Sequence, residues 1–185
     1  MDNGASSYRR FLDGDESAFD EILDLYRDNL TFFINRYVRN ITVAEDLAID
    51  SFVELIVHKN RYNFTSSLKT YLFTIGRNRA LDYLKHIRRI KTVPLDDADT
   101  SEYEREYASL EESVIAEERK RIVNKALETL PCEMKTAVYL VYFEGMSYDQ
   151  TAAVMKKNRK QVDNLLYRAK NALRSVMGKE GELLL

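Results

Sequence analysis

The sequence predicts an all-α protein of two small helical domains joined by an acidic flexible linker, with the second domain ending in a helix-turn-helix. Glycine (6) and proline (2) are scarce among the 185 residues, which disfavours turn-rich β structure. Apolar residues, 45% of the chain, are enough for a core and recur at helical spacing. The charge also changes sign abruptly in the middle of the chain.

The first domain is expected over residues 1–92 as three helices. In "DESAFDEILDLYRDNLTFFINRYV" the apolar residues fall on one helical stripe: Phe19, Ile22, Leu23, Tyr26, Leu30, Phe33 and Tyr37. A second helix is predicted in "TVAEDLAIDSFVELIVHKN", where Thr42 and Glu45 have the spacing of a capping box. The third, "LKTYLFTIGRNRALDYLKHIRR", is rich in arginine and lysine and has a single acid, Asp82.

Residues 93–112 are predicted to form the linker. From Asp96 to Glu118 the sequence contains ten acids against one base, Arg105, and Pro94 precedes this stretch. Strong like charge with few apolar residues is typical of a mobile segment.

The second domain is expected over residues 113–178, as four helices followed by a tail at 179–185. Ser147 and Gln150 have the spacing of a capping box, and Gly145 can turn left-handed before it. After the turn "KKNR", the last helix has one apolar stripe formed by Val162, Leu165, Leu166, Ala169, Leu173 and Val176.

The opposite face of that last helix is polar and is predicted to meet DNA. It carries Lys160, Asn164, Tyr167 and Asn171. Cations neutralise phosphates, amides read base edges, and the start of such a helix usually enters the major groove. The opposing interpretation is an ordinary solvated helix face. Asp163 is unfavourable beside phosphate, but it can accept from a cytosine amine or pair with Arg159 or Lys160.

Composition argues against several other classes of protein. The single cysteine, Cys132, allows no internal disulfide and favours a reducing cytoplasm. The two histidines are isolated, so we expect no metal site. Without a glycine-rich phosphate loop or a nucleophile elbow, we expect no cofactor, no small-molecule substrate and no enzyme. No apolar run is long enough to predict insertion into a membrane.

Three motifs together resemble a bacterial RNA polymerase sigma factor of the sigma-70 family, in the extracytoplasmic-function (ECF) group. They are "AEDLAIDSFVELI", "SLKTYLFTIGRNRALDYLKHIRR" and "ALETLPCEMKTAVYLVYFEGMSYDQTAAVMKKNRKQVDNLLYRAKNALR". The match covers nearly the whole chain, in order, with the acidic linker between. One helix-turn-helix is a weak signal, whereas the paired motifs are specific.

The resemblance implies an alternative sigma factor that binds core RNA polymerase, reads the −35 and −10 elements of promoter DNA and assists melting. The implied region 2 residues for core polymerase are Glu45, Asp46 and Asp50. Those implied for the −10 element are Asn63, Phe64, Tyr71, Arg77, Asn78, Arg79, Lys85, Arg88 and Arg89. Those implied in region 4 for the −35 element are Lys157, Arg159, Lys160, Gln161, Asn164, Tyr167 and Arg168. An anti-sigma factor is a further implied partner that no residue here shows.

Elementary chemistry agrees with the implied −10 roles. Amides and aromatic faces can hold an unstacked base, and a row of cations can follow the DNA backbone. Tyr71 and Phe73 lie two apart on a helix, so at least one of them is expected to be buried in the core.

The sequence departs from the family pattern at four positions. Ile49 stands where the family often has glutamine, and Asp163 stands where it often has a basic residue. Leu165 stands where arginine is common, and Tyr71 stands where tryptophan is frequent. The first three departures concern the exact −35 sequence more than the fold, whereas Tyr71 is a milder change that keeps an aromatic face.

Two other hypotheses are a standalone helix-turn-helix regulator that binds operators as a dimer, and a helical interaction protein. The regulator needs only the C-terminal half and leaves the N-terminal motifs unexplained.

Overall fold

The computed structural model describes residues 3–91, 127 and 129–177. Every regular element within these ranges is helical, as the all-α prediction requires. The described ranges contain seven α-helices: α1 Asn3–Leu12, α2 Ser17–Val38, α3 Ile41–Val57, α4 Leu68–Lys91, α5 Cys132–Val138, α6 Tyr148–Met155 and α7 Arg159–Met177. The predicted linker at 93–112, the tail at 179–185 and nearly all of the helix predicted before Pro131 lie outside the described residues.

The first domain is built around the crossing of α2 and α4. The predicted stripe of α2 is largely confirmed, since Ile22, Leu30 and Phe33 are fully buried. Helix α4 contributes Phe73, which packs on Phe33 with 5.0 Å between ring centroids. Phe73 is therefore a core residue, which confirms that at least one of Tyr71 and Phe73 is buried, and Tyr71 is half-buried.

Helix α1 was not predicted, although Ala5, Tyr8 and Phe11 follow one another at helical spacing. It closes the first domain through Tyr8, whose side chain is fully buried. The Tyr8 hydroxyl donates to the carbonyl oxygens of Leu55 (3.0 Å) and Lys59 (3.2 Å) at the end of α3. Burial raises the pKa of Tyr8 to about 12, so the hydroxyl keeps its proton at neutral pH.

The helix starts show which polar side chains act as caps. Helix α3 is capped by Asn40, whose side chain accepts from the Val43 amide at 3.1 Å. The predicted capping box of Thr42 and Glu45 is therefore wrong, because Asn40 starts the helix two residues earlier. Both reciprocal hydrogen bonds of the predicted box between Ser147 and Gln150 are present at α6.

The second domain packs α7 against α5 and α6. Val162, Leu165 and Leu166 are buried, as the apolar stripe predicts. Helix α6 is followed by its C-cap Lys156, which has a left-handed backbone (φ 53°). A second reciprocal cap then starts α7: the Gln161 amide donates to the Asn158 side chain (2.8 Å) and the Asn158 amide to that of Gln161 (2.9 Å).

The two domains are in direct contact. Helix α6 packs on α4, and α5 packs on α2. Between α5 and the next helix, residues Tyr139–Phe143 form one π-helical turn, and this turn also faces the first domain.

Replacement of Tyr8 by phenylalanine is expected to lower the free energy of unfolding by about 1–2 kcal/mol, because the buried carbonyl of Leu55 and the part-buried carbonyl of Lys59 lose their donor. Urea denaturation of the full chain measures this change. Tyr167→Phe is the control, since Tyr167 is 67% exposed and should leave stability unchanged. Equal stability of Tyr8→Phe and the native chain would contradict the bracing role of Tyr8.

Candidate nucleic-acid interface

The outward face of α7 is free to meet a ligand. Lys160, Asn164, Tyr167, Arg168 and Asn171 are all exposed. Within the described residues, no hydrogen bond or ion pair engages Lys160, Asn164 or Arg168. The face therefore offers two cations, two amides and one aromatic ring, a set that suits phosphates and base edges.

The other predicted −35 residues have partners of their own. Lys157 lies 2.8 Å from the Glu133 carboxylate, and Arg159 lies 3.2 Å from that of Asp149. The Arg159–Asp149 pair is about two-thirds exposed, so exchanging Asp149 for a phosphate costs little. Gln161 caps its own helix, a role that the Asn–x–x–Gln spacing would have indicated.

Asp163 is exposed near the start of α7. Among the described residues, Asp163 forms neither of the two ion pairs considered from the sequence, with Arg159 or with Lys160. Arg159 pairs with Asp149 instead. The Asp163 carboxylate thus faces solvent on the side of the helix that carries the cations.

The loop before α4 is ordered by aromatic contacts. Phe64 has a left-handed backbone (φ 60°), a costly conformation for a bulky residue. Its ring packs on Tyr62 (4.6 Å) and lies under the Arg9 guanidinium (4.8 Å). Tyr71 packs on the other side of the cluster, 5.1 Å from Tyr62. Asn63 accepts from the Thr65 amide and hydroxyl, which tightens the turn.

Phe64 and Tyr71 are thus half-buried. Each has part of its ring in the cluster and part open to solvent. Burial raises the pKa of Tyr71, so its hydroxyl remains protonated and neutral at physiological pH. The structure brings these two rings together around Tyr62, which sequence reasoning had not singled out.

The cations of α4 do not form one continuous track. Arg79 is held by Glu54 through two hydrogen bonds of 2.8 and 3.1 Å. Arg77 is half-buried, and its Nε has no partner in the part of the chain that the structure describes. Burial raises the pKa of Tyr37, whereas its hydrogen bond with Thr136 and the Arg77 guanidinium oppose this shift.

Exposed charge is concentrated at the C-terminal end of α4. Lys85, Arg88 and Arg89 are exposed there, with Lys85 in a solvent-exposed pair with Asp82. Asn78 is half-buried, in a hollow that Glu54 and Arg79 also line. The predicted −10 residues therefore divide into a loop cluster, a partly buried middle and an open basic end.

The acids of α3 are exposed. Glu45, Asp46 and Asp50 all face solvent, and Glu45 takes no part in the cap. Beside them runs an apolar stripe that the sequence analysis missed: Ile49, Val53 and Val57 are 57%, 48% and 66% exposed. Their spacing of four residues was a visible signal. An acidic, apolar face of this kind is typical of a protein-binding surface.

The described residues contain no group of three or more His, Cys, Asp or Glu side chains arranged to hold a metal ion. None of the helices that the structure describes is both long and apolar enough to span a bilayer.

Two family models match the chain in order. The model for sigma-70 region 2 matches residues 22–90, and the model for sigma-70 region 4 matches residues 120–173. Curated relatives include the ECF RNA polymerase sigma-E factor of Escherichia coli, 27% identical over 168 residues. The RNA polymerase sigma-H factor of Pseudomonas aeruginosa is 28% identical over 168 residues. Both matches cover 86% of this chain and 86% of the relative.

Solved structures support the same fold. The sigma factor RpoE of Bartonella quintana, crystallised with the anti-sigma factor NepR, has a TM-score of 0.66 at 24% identity and covers 87% of this chain and 97% of its own. CnrH, solved in complex with the cytosolic domain of CnrY, has a TM-score of 0.63 at 18% identity and covers 95% and 94%. Since sigma-70 regions 2 and 4 are both present in order on an all-α fold, the chain belongs to the sigma-70 family of RNA polymerase sigma factors, in its ECF group.

Proposed function

We propose that this alternative sigma factor divides transcription initiation among three surfaces: α3 for core RNA polymerase, the aromatic loop with α4 for the −10 element, and α7 for the −35 element. The observation that carries the proposal is the exposed, unpaired polar face of α7, presented by a capped helix-turn-helix. This is the geometry with which helix-turn-helix proteins enter a major groove.

For the −35 element, Lys160, Asn164 and Tyr167 are the proposed central contacts. The amide of Asn164 is able to read a base edge, and Lys160 and Arg168 neutralise phosphates. Lys157 and Arg159 join them after giving up their acidic partners, while Gln161 contributes mainly by fixing the helix start.

For the −10 element, the proposed site is the solvent side of the loop cluster. An unstacked base would be held there by Asn63, Phe64 and Tyr71. Each half-buried ring is fixed in place by the cluster on one side and leaves its other side open for a base to stack on. Lys85, Arg88 and Arg89 extend from there as the backbone contact. Arg77, Asn78 and Arg79 are proposed to support this surface from within, given their partial burial.

For core polymerase, Glu45, Asp46 and Asp50 would steer α3 onto a basic surface while Ile49 and Val53 bury apolar area. Acids at the rim of an interface mainly affect the association rate, whereas buried apolar residues contribute affinity.

The proposal also covers the domain boundaries of the chain, its cellular location and a regulatory partner. It assigns region 2 to residues 1–92, the linker to 93–112, region 4 to 113–178 and a tail to 179–185. Sigma factors are not enzymes in general, and we propose that this chain works without catalysis, cofactor or small-molecule substrate, in the cytoplasm where RNA polymerase acts. Two proteins of similar fold were solved in complex with a second protein, which in one of them is an anti-sigma factor, and this supports an anti-sigma partner here also.

The overall function is tested by transcription in vitro with purified core polymerase and genomic DNA of the host. The full chain is expected to start transcripts at specific promoters that core enzyme alone does not use. Absence of any specific start would refute the proposal, and a tight operator complex without polymerase would favour a standalone regulator.

The double change Lys160→Ala with Asn164→Ala is expected to lower initiation at those promoters on the order of tenfold or more, since a lost base contact costs about 1–3 kcal/mol. Binding to core polymerase should not change. Asn60→Ala is the control, an exposed amide in the first domain that lies outside α7. A loss as large in Asn60→Ala would place the DNA contact elsewhere.

The double change Asp46→Ala with Asp50→Ala is expected to weaken binding to core polymerase by roughly tenfold, with a larger effect at low salt because exposed charges are screened. Fluorescence titration of the full chain with core enzyme measures this. Asp24→Ala, an exposed acid on α2, serves as the control. If the control weakens binding equally, the effect comes from net charge and not from α3.

A further inference from the structure

Helix α7 contains one acid, Asp163, and the proposed −35 surface gives it no role. It lies just after the first turn of the helix, four residues beyond Arg159, in the part that helix-turn-helix proteins bring to the edges of bases. Its side chain is exposed. A carboxylate in this place comes close to DNA phosphates, which carry the same charge. It therefore lowers affinity for DNA unless a specific contact offsets the repulsion.

The cations near Asp163 leave its carboxylate without a partner. Arg159 stands four residues before it, at a spacing that favours ion pairs within a helix. The Arg159 guanidinium instead turns to α6, where its Nη1 lies 3.2 Å from an Asp149 carboxylate oxygen. Lys160, three residues before Asp163, also forms no pair in the part of the chain that the structure describes. The Asp163 carboxylate thus stays available to a ligand outside the chain.

Helical geometry places Asp163 beside the DNA-facing side chains of α7. At 3.6 residues per turn, it lies about 40° around the axis from Tyr167, which is 67% exposed. Arg159, Lys170 and Arg174 lie within about 40° of it along the same row. These cations can neutralise phosphates and offset the repulsion that the acid adds. Asp163 is therefore placed to select among sequences while its neighbours supply affinity.

A carboxylate discriminates among bases because it can only accept hydrogen bonds. In the major groove cytosine presents the N4 amine, which is a donor, whereas guanine presents only the acceptors N7 and O6. Thymine presents an acceptor and a methyl group. Adenine has a donor at N6, but the acceptor N7 lies beside it. The carboxylate therefore favours cytosine, tolerates adenine and disfavours guanine and thymine.

We propose that Asp163 is a specificity-determining residue, which selects a cytosine at one position of the −35 element by accepting a hydrogen bond from its N4 amine. This inference rests on the proposed function of α7 and adds a base preference to it. Rejection contributes as much as attraction, since a guanine or thymine would leave the carboxylate desolvated and without a donor. A basic residue at this position would prefer guanine instead.

The next residue reads a different base. Adjacent residues of a helix project about 100° apart, so Asp163 and Asn164 cannot reach the same base edge from the same side. The amide of Asn164 is best matched by adenine, with which it can form two hydrogen bonds. The two residues are therefore expected to control separate positions of the −35 element.

The base preference of the holoenzyme tests this assignment. A promoter that the full native chain uses with core polymerase has its upstream element randomised, and each version carries a barcode in the transcribed region. Sequencing of the transcripts made in vitro then gives the preference at every upstream position. With the native chain, one position should favour cytosine over guanine and thymine by roughly tenfold or more. With Asp163→Ala, that preference should fall to about twofold or less, and the other positions should keep theirs.

Two further variants should exchange one preference for another at the same position. Asp163→Asn is expected to favour adenine, because an amide can both donate and accept. Asp163→Arg is expected to favour guanine, whose acceptors match a guanidinium. A merely structural role of Asp163 would not change the identity of the preferred base. Asp163→Asn also keeps the shape of the side chain, which covers the case in which Asp163→Ala perturbs the helix.

Two controls accompany these variants. Asp24→Ala removes an exposed acid from α2, far from α7 in the sequence, and should leave the preference at every upstream position unchanged. Asn164→Ala should relax a position other than the one that Asp163 controls.

A preference pattern that is identical in the native chain and all three Asp163 variants would overturn the assignment. So would a uniform rise or fall of initiation on every sequence in these variants, because that result would show an effect of charge alone. A native preference for guanine or thymine at the position that Asp163 controls would also contradict it. Failure of the native chain to initiate on any template would instead refute the proposed function, and the assignment with it.

Discussion

Helix α4 packs against several other helices at once, and the rest of the structure depends on this constraint. One side buries Leu72 and Phe73 in the first domain. At Gly76 it crosses α2 so closely that a β-carbon would lie 2.8 Å from Leu30 Cδ1, which the absence of a side chain avoids. Its first turn carries Lys69 to the second domain, and its last turns carry exposed cations. Core, domain contact and basic surface are therefore parts of one rigid element.

Local charge matters more here than net charge. A formal charge of −2 gives the whole chain no long-range attraction to DNA. The structure separates an acidic and apolar face on α3 from cationic faces on α4 and α7. A chain built in this way gains DNA affinity once a partner has fixed its position, which is the division of labour expected when polymerase supplies most of the binding surface.

The regular parts of the fold followed from spacing. The stripes of α2 and α7 were predicted because burial of one helix face imposes a period of 3.6 residues. The cap at Ser147 was predicted for the same local reason. The proposed cap at Thr42 failed because Asn40, two residues earlier, competes for the same helix start. Helix α1 was missed although Tyr8 and Phe11 have helical spacing, and its place in the fold depends on Leu55 and Lys59, which lie far along the chain.

The sequence by itself determined the helical class, the two-part organisation, the buried side of α7 and the family, since each depends on residue types at short or characteristic spacing. Tertiary structure decided what depends on distant partners. Arg79 is held by Glu54, 25 residues away, and Lys69 by Glu144, 75 residues away. No periodic pattern records such pairs, because they depend on how whole helices pack, and they determine which cations stay available to DNA.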